Sequence, residues 1–397
     1  MTTSALAGLR VCIDARQRPV AGRTGVATYS ELLAETLGGL GAQVEYLTDV
    51  TPPSPAGAKR IRRWIAAARP GERQLSPDGR GQAAAWSALD LFREAQVYFN
   101  LHGRLLPVRH PDPPAVMHWT YPLPMTMAGT RNIYTVHDAI PWERPDLTGI
   151  SRSRHLRLLE QVRQAADLIV TVSDHSREVL LRLLGCPPGL IVNTYQAVHA
   201  QTPAALEATL PAGLSCGRYF LFHGSVEPRK NLARLVAAHR TSGVDLPLVI
   251  AGPDGWMAKR AVSEEALAGG NLIRLPWLER PMLTALVANA RAVLFPSLAE
   301  GFGLPVLEAM ALGAPAMTAN TGALVEIAGD GALTVDPEDV EAMAGAIVAL
   351  SRDEQLLARL RQAGFTRAAT FSREAYAGRL ARTYADLLQT PLAPRPG

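Results

Sequence analysis

The chain has 397 residues, 48% apolar and 19% charged, and its 40 Lys and Arg against 36 Asp and Glu leave a net charge of +4. That length builds two or three domains with ample core; the apolar content excludes a disordered chain, and the mild charge excludes a nucleic-acid binder. Cys12, Cys186 and Cys216 form neither a zinc spacing nor a disulfide framework, no run nears the roughly 20 apolar residues of a membrane span, and Met1 to Leu9 lacks the features of a signal peptide, so a cytoplasmic, reducing setting is expected.

A short apolar run, Leu9 to Ile13, ends at Asp14. The loop Ala21-Gly22-Arg23-Thr24-Gly25 follows, then a helical pattern from Val26 to Leu40 and a strand-like run from Val44 to Leu47, a βαβ opening. Residues 51–82 are rich in Pro, Gly and Arg and read as loop with one short helix. Strand-like runs recur at Val97–Phe99, Ala115–His118, Ile133–His137, Leu168–Val172 and Leu190–Val192. Helical patterns fill Arg152–Ala166 and His175–Leu184, the second with Ser173 and Asp174 as candidate N-caps. Residues 201–217 read as a linker. A second series then alternates strands at Tyr219–Phe222, Leu248–Ala251, Leu272–Leu275, Ala292–Phe295, Ala314–Thr318 and Leu333–Val335 with helices, and three helical segments close the chain.

Strands alternating with helices predict parallel sheets covered on both faces. The expected fold class is therefore α/β, with two Rossmann-like domains, residues 1–200 and 218–370, facing each other across a cleft. A last helix at 371–390 is expected to pack back on the first domain. Ligands of open α/β sheets bind beyond the carboxyl ends of the strands, which points to the cleft.

Two strings in the second half carry chemistry. Gly224-Ser225-Val226-Glu227-Pro228-Arg229-Lys230-Asn231 follows a strand, and Arg229 and Lys230 are expected at the start of the next helix, where amides and dipole already favour an anion. Only three residues of the chain are Lys (Lys59, Lys230 and Lys259) against 37 Arg, so Lys230 stands out; the alternative is a basic pair on a solvated helix end. The second string, Ser297-Leu298-Ala299-Glu300-Gly301-Phe302-Gly303-Leu304-Pro305-Val306-Leu307-Glu308, holds two glutamates eight residues apart around a Gly-Phe-Gly turn. Glu300 falls in the loop and Glu308 about one turn into a helix opened by Leu304 and Pro305. Such a pair can accept hydroxyl groups of a sugar and of a ribose; the plainer alternative is a cap and a surface acid.

Taken whole, Glu300 to Glu308 resembles the Glu-x7-Glu motif of retaining glycosyltransferases of the GT-B fold, in the nucleotide-sugar-dependent family 4. Gly224 to Asn231 resembles that family's phosphate-binding segment, and Ile250-Ala251-Gly252-Pro253 and Thr318 to Glu326 also match its patterns. The resemblance implies that Glu300 contacts the donor sugar and Glu308 the ribose. It implies that Arg229 and Lys230 neutralise the pyrophosphate, with Gly224 and Ser225 beside it. The backbone at Phe302, Gly303 and Leu304 would meet the phosphates or the sugar, and Leu275 and Trp277 would lie where the family holds the base. Trp277 as a buried loop aromatic is the alternative.

In the first half, Asn132 to Pro141 is a strand ending in His137-Asp138. On its own His137 reads as structural; the resemblance places it at the donor sugar, with Asp138 as a brace for the following turn. Gly22 and Gly25 resemble the glycine-rich loop near the donor phosphate and acceptor, although Gly22-Arg23-Thr24-Gly25 departs from a simple Gly-Gly pair. Met117 to Pro124 and Leu190 to Val198 resemble a subset of bacterial surface-polysaccharide transferases. Residues 59–69 interleave Lys59, Arg60, Arg62, Arg63 and Arg69 with a stripe of Ile61, Trp64, Ile65 and Ala68. That pattern suits a helix on an anionic inner-membrane surface, or one docked on the first domain by its stripe.

The resemblance implies a retaining hexosyltransferase that moves a sugar, GDP-mannose being the favoured donor, to a glycan or polyprenyl-diphosphate-linked acceptor in polysaccharide biosynthesis. No cofactor is expected, and no metal, since no Asp-x-Asp motif occurs. The rivals are a nucleotide-sugar epimerase, a phosphorylase, a non-catalytic nucleotide-sugar-binding partner and a dinucleotide oxidoreductase. The last fails because Val306 stands where its fingerprint needs a third glycine.

Overall fold

The computed structural model describes residues 5–16, 25–50, 56–79, 85–198, 210–263 and 271–389. Two sheets organise them. The first has eight strands in the order Ile191–Asn193, Leu168–Thr171, Arg131–Thr135, Val116–Trp119, Arg10–Asp14, Gln43–Val50, Ala85–Leu89 and Ser76–Pro77. All pair in parallel except the last, which runs antiparallel to its neighbour. The second has six parallel strands in the order Leu272–Leu275, Leu248–Ala251, Phe220–His223, Ala292–Phe295, Ala316–Ala319 and Leu333–Val335. Phe220–His223, Leu248–Ala251, Ala292–Phe295 and Ala316–Ala319 are buried at every residue, as parallel strands covered by helices on both faces must be. The order of the second sheet reverses between Phe220–His223 and Ala292–Phe295, and the loops holding Arg229 and Glu300 leave the sheet at that switch point.

Some elements differ from the sequence expectation. Val97–Phe99 belongs to the helix Leu91–His102, because Leu91, Phe92, Ala95 and Phe99 are buried together at helical spacing. Ala85–Leu89 is an unforeseen strand, and Arg73–Gln74, Leu106–Arg109 and Met125–Ala128 make a small third sheet. Within residues 51–82 the helix runs over Ala56–Ala68. It docks through Ala67 and through Arg63, whose Nε meets Asp90 Oδ2 at 2.7 Å, while Ile61, Trp64 and Ile65 are 64%, 52% and 54% exposed. The apolar stripe thus faces outward and does not dock, and Arg63 turns inward. The side chains of Lys59 and Arg60 lie outside the described residues.

The last helix, Arg373–Gln389, returns to the first domain and buries Tyr376, Leu380, Tyr384 and Leu387. Tyr384 Oη lies 2.7 Å from His118 Nδ1, His118 Nε2 2.8 Å from Thr135 Oγ1, and Thr135 Oγ1 2.9 Å from Tyr29 Oη. Burial pushes the His118 imidazole down to about 3, so it is neutral and bonds as a donor on one nitrogen and an acceptor on the other. No helix among the described residues is long and apolar enough to cross a membrane.

One buried side chain fixes the start of the strand Arg131–Thr135, which leads to His137. Asn132 Oδ1 accepts from Trp119 Nε1 at 3.0 Å and from Met127 N at 2.9 Å, and its Nδ2 donates to Met127 O and Thr130 O at 2.9 and 3.1 Å. Replacing it strands the indole and an amide without partners, so Asn132→Ala is expected to cost about 3 kcal/mol, read as a lower urea midpoint at unchanged slope.

Candidate functional site

Arg229 and Lys230 do not begin the following helix as expected. They lie in a 3-10 turn, Pro228–Lys230, and Asn231 in the left-handed region separates this turn from the helix Leu232–Thr241. Asn231 accepts that conformation because its Nδ2 donates to Pro296 O and Pro337 O, at 3.0 and 2.6 Å. The turn aims both cations at the neighbouring loop, whose Leu298 amide donates to Arg229 O at 2.8 Å.

There the Glu300 carboxylate divides itself between them. Oε1 is 2.6 Å from Lys230 Nζ and Oε2 is 2.8 Å from Arg229 Nη1. Glu227 takes Arg229 Nε at 2.9 Å and accepts from Ser225 Oγ at 2.6 Å. Lys230 is 6% exposed and its ammonium sits 4.5 Å from the centre of the Phe295 ring. Burial, aided by Arg229, pushes Lys230 down to about 8 against the pull of Glu300. Glu300 is itself desolvated, yet the two cations hold it below the usual carboxylate range.

Glu308 lies on the helix Leu304–Ala311, as expected, and is paired with Arg280 Nη2 at 2.7 Å. Gly303 opens this helix with a φ of +115°, which a side chain would strain. The helix N-terminus so presented favours an anion. His223, which the sequence reading overlooked, is buried beside Glu308, and burial holds its imidazole below the usual range. Leu275 ends its strand, and Trp277 is 47% exposed just beyond it, so it is not a buried aromatic.

From the first domain, His137 brings its imidazole to the same cleft. Nε2 donates to Thr120 O at 2.9 Å, and the ring meets Tyr29 edge-on at 4.8 Å. Desolvation keeps it below the usual histidine range, so the neutral ring leaves Nδ1 as an acceptor. Asp138 braces the turn, accepting from Ile140 N at 3.0 Å. A further residue missed as a site element is Asp14: its Oδ2 accepts from Thr120 N and Oγ1, at 2.5 and 2.9 Å, and burial raises it to about 6. Three strand ends are thereby tied into one floor. Gly25 begins the helix Gly25–Gly39, and a Cβ there would come 4.0 Å from Leu304 Cδ1 across the cleft; Gly22 lies outside the described residues.

The two domains meet closely at Gly301. A Cβ there would fall 2.3 Å from His137 O, so only glycine permits this contact. Ser173 Oγ donates to Gly301 O at 2.8 Å from the first domain. On another side of the cleft Trp256 lies against Gly149, where a Cβ would come 2.9 Å from the indole nitrogen.

Residues 216–367 match the family described as Glycosyl transferases group 1, and residues 23–195 match Glycosyltransferase Family 4. O-antigen chain mannosyltransferase B of Escherichia coli is 32% identical over 256 residues, covering 62% of this chain and 67% of the relative. Serotype-specific mannosyltransferase WbdA of Escherichia coli is 28% identical over 225 residues, 51% of this chain but only 28% of that protein's length. The structure of sucrose-phosphate synthase from Thermosynechococcus elongatus superposes with a TM-score of 0.69 at 19% identity, over 96% of this chain and 99% of that one. The shared architecture is GT-B, two Rossmann-like domains.

If Lys230 holds an anionic ligand, binding needs its protonated form. Once the diphosphate is fully ionised, its affinity is expected to be level up to pH about 8 and to fall above it, toward about tenfold per unit. Calorimetric titration across that range checks this, and a level affinity through it refutes the role.

Proposed function

The chain belongs to family 4 of the glycosyltransferases, and on that premise we propose that it transfers mannose from GDP-mannose, with retention, to a hydroxyl of a glycan or polyprenyl-diphosphate-linked oligosaccharide. As a family member it is a sugar-transferring enzyme, and the O-antigen relative supports a place in polysaccharide biosynthesis. The names of the two Escherichia coli relatives described above, both mannosyltransferases, support the choice of sugar. The observation that carries the site assignment is the bridge of Glu300 to Arg229 and Lys230, two cations from another loop gathered at the sheet's switch point.

In this reading the diphosphate docks on Arg229 and Lys230 with Gly224 and Ser225 alongside, and on the helix N-terminus at Phe302, Gly303 and Leu304. Glu308 accepts the ribose hydroxyls, and Leu275 and Trp277 flank the base. Glu300 and His137 Nδ1 accept hydroxyls of the sugar. The bond from the anomeric carbon to the diphosphate oxygen breaks as the acceptor oxygen bonds to that carbon on the same face. The acceptor's proton passes to the departing phosphate oxygen. The growing negative charge is met by the fixed cations and amides, a preorganised electrostatic effect, with no metal or cofactor required. Gly22 and Gly25 belong to the loop that borders the acceptor.

Arg229→Ala is expected to lower turnover by about 10²–10³ while the protein stays folded. Turnover with GDP-mannose, after a thermal-shift panel of nucleotide-sugars and NMR of the product anomer, checks donor, rate and retention together. Near-normal turnover in the variant refutes the assignment.

A lipid-linked acceptor calls for contact with the inner-membrane surface, and the exposed Ile61, Trp64 and Ile65 of Ala56–Ala68 supply the apolar face. Trp64→Glu with Ile65→Ser is expected to abolish flotation with anionic vesicles without loss of thermal stability. Equal flotation by both proteins overturns this contact.

A further inference from the structure

Glu326 ends the segment that resembles the family pattern from Thr318, and the sugar-transfer reading above gives it no role. It lies on the helix Gly322–Ala328 of the second domain. Its two carboxylate oxygens reach across to the first domain, where Oε1 accepts the Asp174 amide at 2.8 Å and Oε2 the His175 amide at 2.9 Å. These are the first two amides of the helix Asp174–Leu184. A helix begins with unsatisfied N–H groups at its positive end, and a carboxylate taking two of them makes a charge-assisted pair of bonds.

The same turn carries the contacts that seat the donor loop. Ser173 caps its own helix, accepting from Ser176 N at 3.1 Å, and donates its hydroxyl to Gly301 O at 2.8 Å. Ser176 Oγ donates to His137 O at 3.2 Å. Tyr195 Oη holds Asp174 Oδ2 at 2.9 Å from one side. On the other, Arg367 Nε donates to Ile327 O at 3.1 Å and its Nη2 to Glu326 O, which anchors the helix that bears Glu326. One turn of helix is therefore gripped from the second domain at its amides, and it grips the second domain at Gly301.

We infer that Glu326 is a positioning residue: by capping Asp174–Leu184 from across the cleft it sets Gly301, and with it Glu300 and Phe302, against His137. The inference rests on the sugar-transfer reading above. Arg229 and Lys230 stay in place without Glu326, so donor binding survives its loss and alignment does not.

The isosteric Glu326→Gln offers one oxygen where two are needed. It is expected to lower kcat about tenfold with donor KM within about twofold. Ser173→Ala added to it is expected to cost far less than Ser173→Ala alone, because both act through one turn. Hydrogen exchange of the Asp174 and His175 amides, measured without substrate, is expected to quicken in Glu326→Gln. A folded variant with wild-type kcat, a raised KM at unchanged kcat, or losses that simply multiply would each overturn the inference. If the wild-type protein transfers none of the sugars offered, the transfer reading falls, and exchange alone decides: quickened amides uphold the cross-domain cap and unchanged amides reject it.

Discussion

The site depends on one buried carboxylate shared by two cations. Arg229 and Lys230 are neighbours in sequence and both are turned from water, so their like charges would repel in a poorly screened place. Burying them alone would be strongly unfavourable; Glu300 and Glu227 make the pairing tolerable. The four groups together are neutral. An incoming diphosphate in the proposed reaction brings the charge that Glu300 now supplies, and so releases that carboxylate toward the sugar. In that reaction the residue that balances the two cations is also the one that meets the sugar.

That arrangement constrains what surrounds it. Glu300 reaches both cations only because two loops leave adjacent strands at the reversal of the second sheet. The next residue, Gly301, has to lie almost against the backbone of His137, which fixes the distance between the domains at the chemistry. Asp14 and Thr120 serve the same point from the other side, since Thr120 O orients the imidazole and Asp14 holds Thr120. The hydrogen bonds of Asp14 Oδ2 and Thr120 O make this floor specific.

The second domain was readable because its signals are local. Strand, loop and helix follow within a dozen residues, and Glu300 and Glu308 are placed by the same short helix start. The partners were not readable. Glu300 and Lys230 are 70 residues apart, and Asp14 meets Thr120 across 106; such pairings come from the order of strands in a sheet, which no short window contains. Val97–Phe99 looked like a strand because an apolar run of three residues has no period, and its helical partners lie outside it. The stripe of Ile61, Trp64 and Ile65 was legible as a stripe, but which way it faced was set by long-range contacts of the opposite face, the Arg63–Asp90 ion pair and the burial of Ala67.

The return of the last helix to the first domain has a mechanical consequence. The chain passes between the domains between residues 198 and 210, and again as it enters Arg373–Gln389, whose Tyr384 and Arg379 hold it to His118 and Thr194. The second domain is therefore held to the first at its chain end as well as at its start. To part from the first domain it must also give up the buried Tyr384 hydroxyl on His118 and the bond from Arg379 to Thr194 O, so the closing helix resists separation independently of the connecting segment.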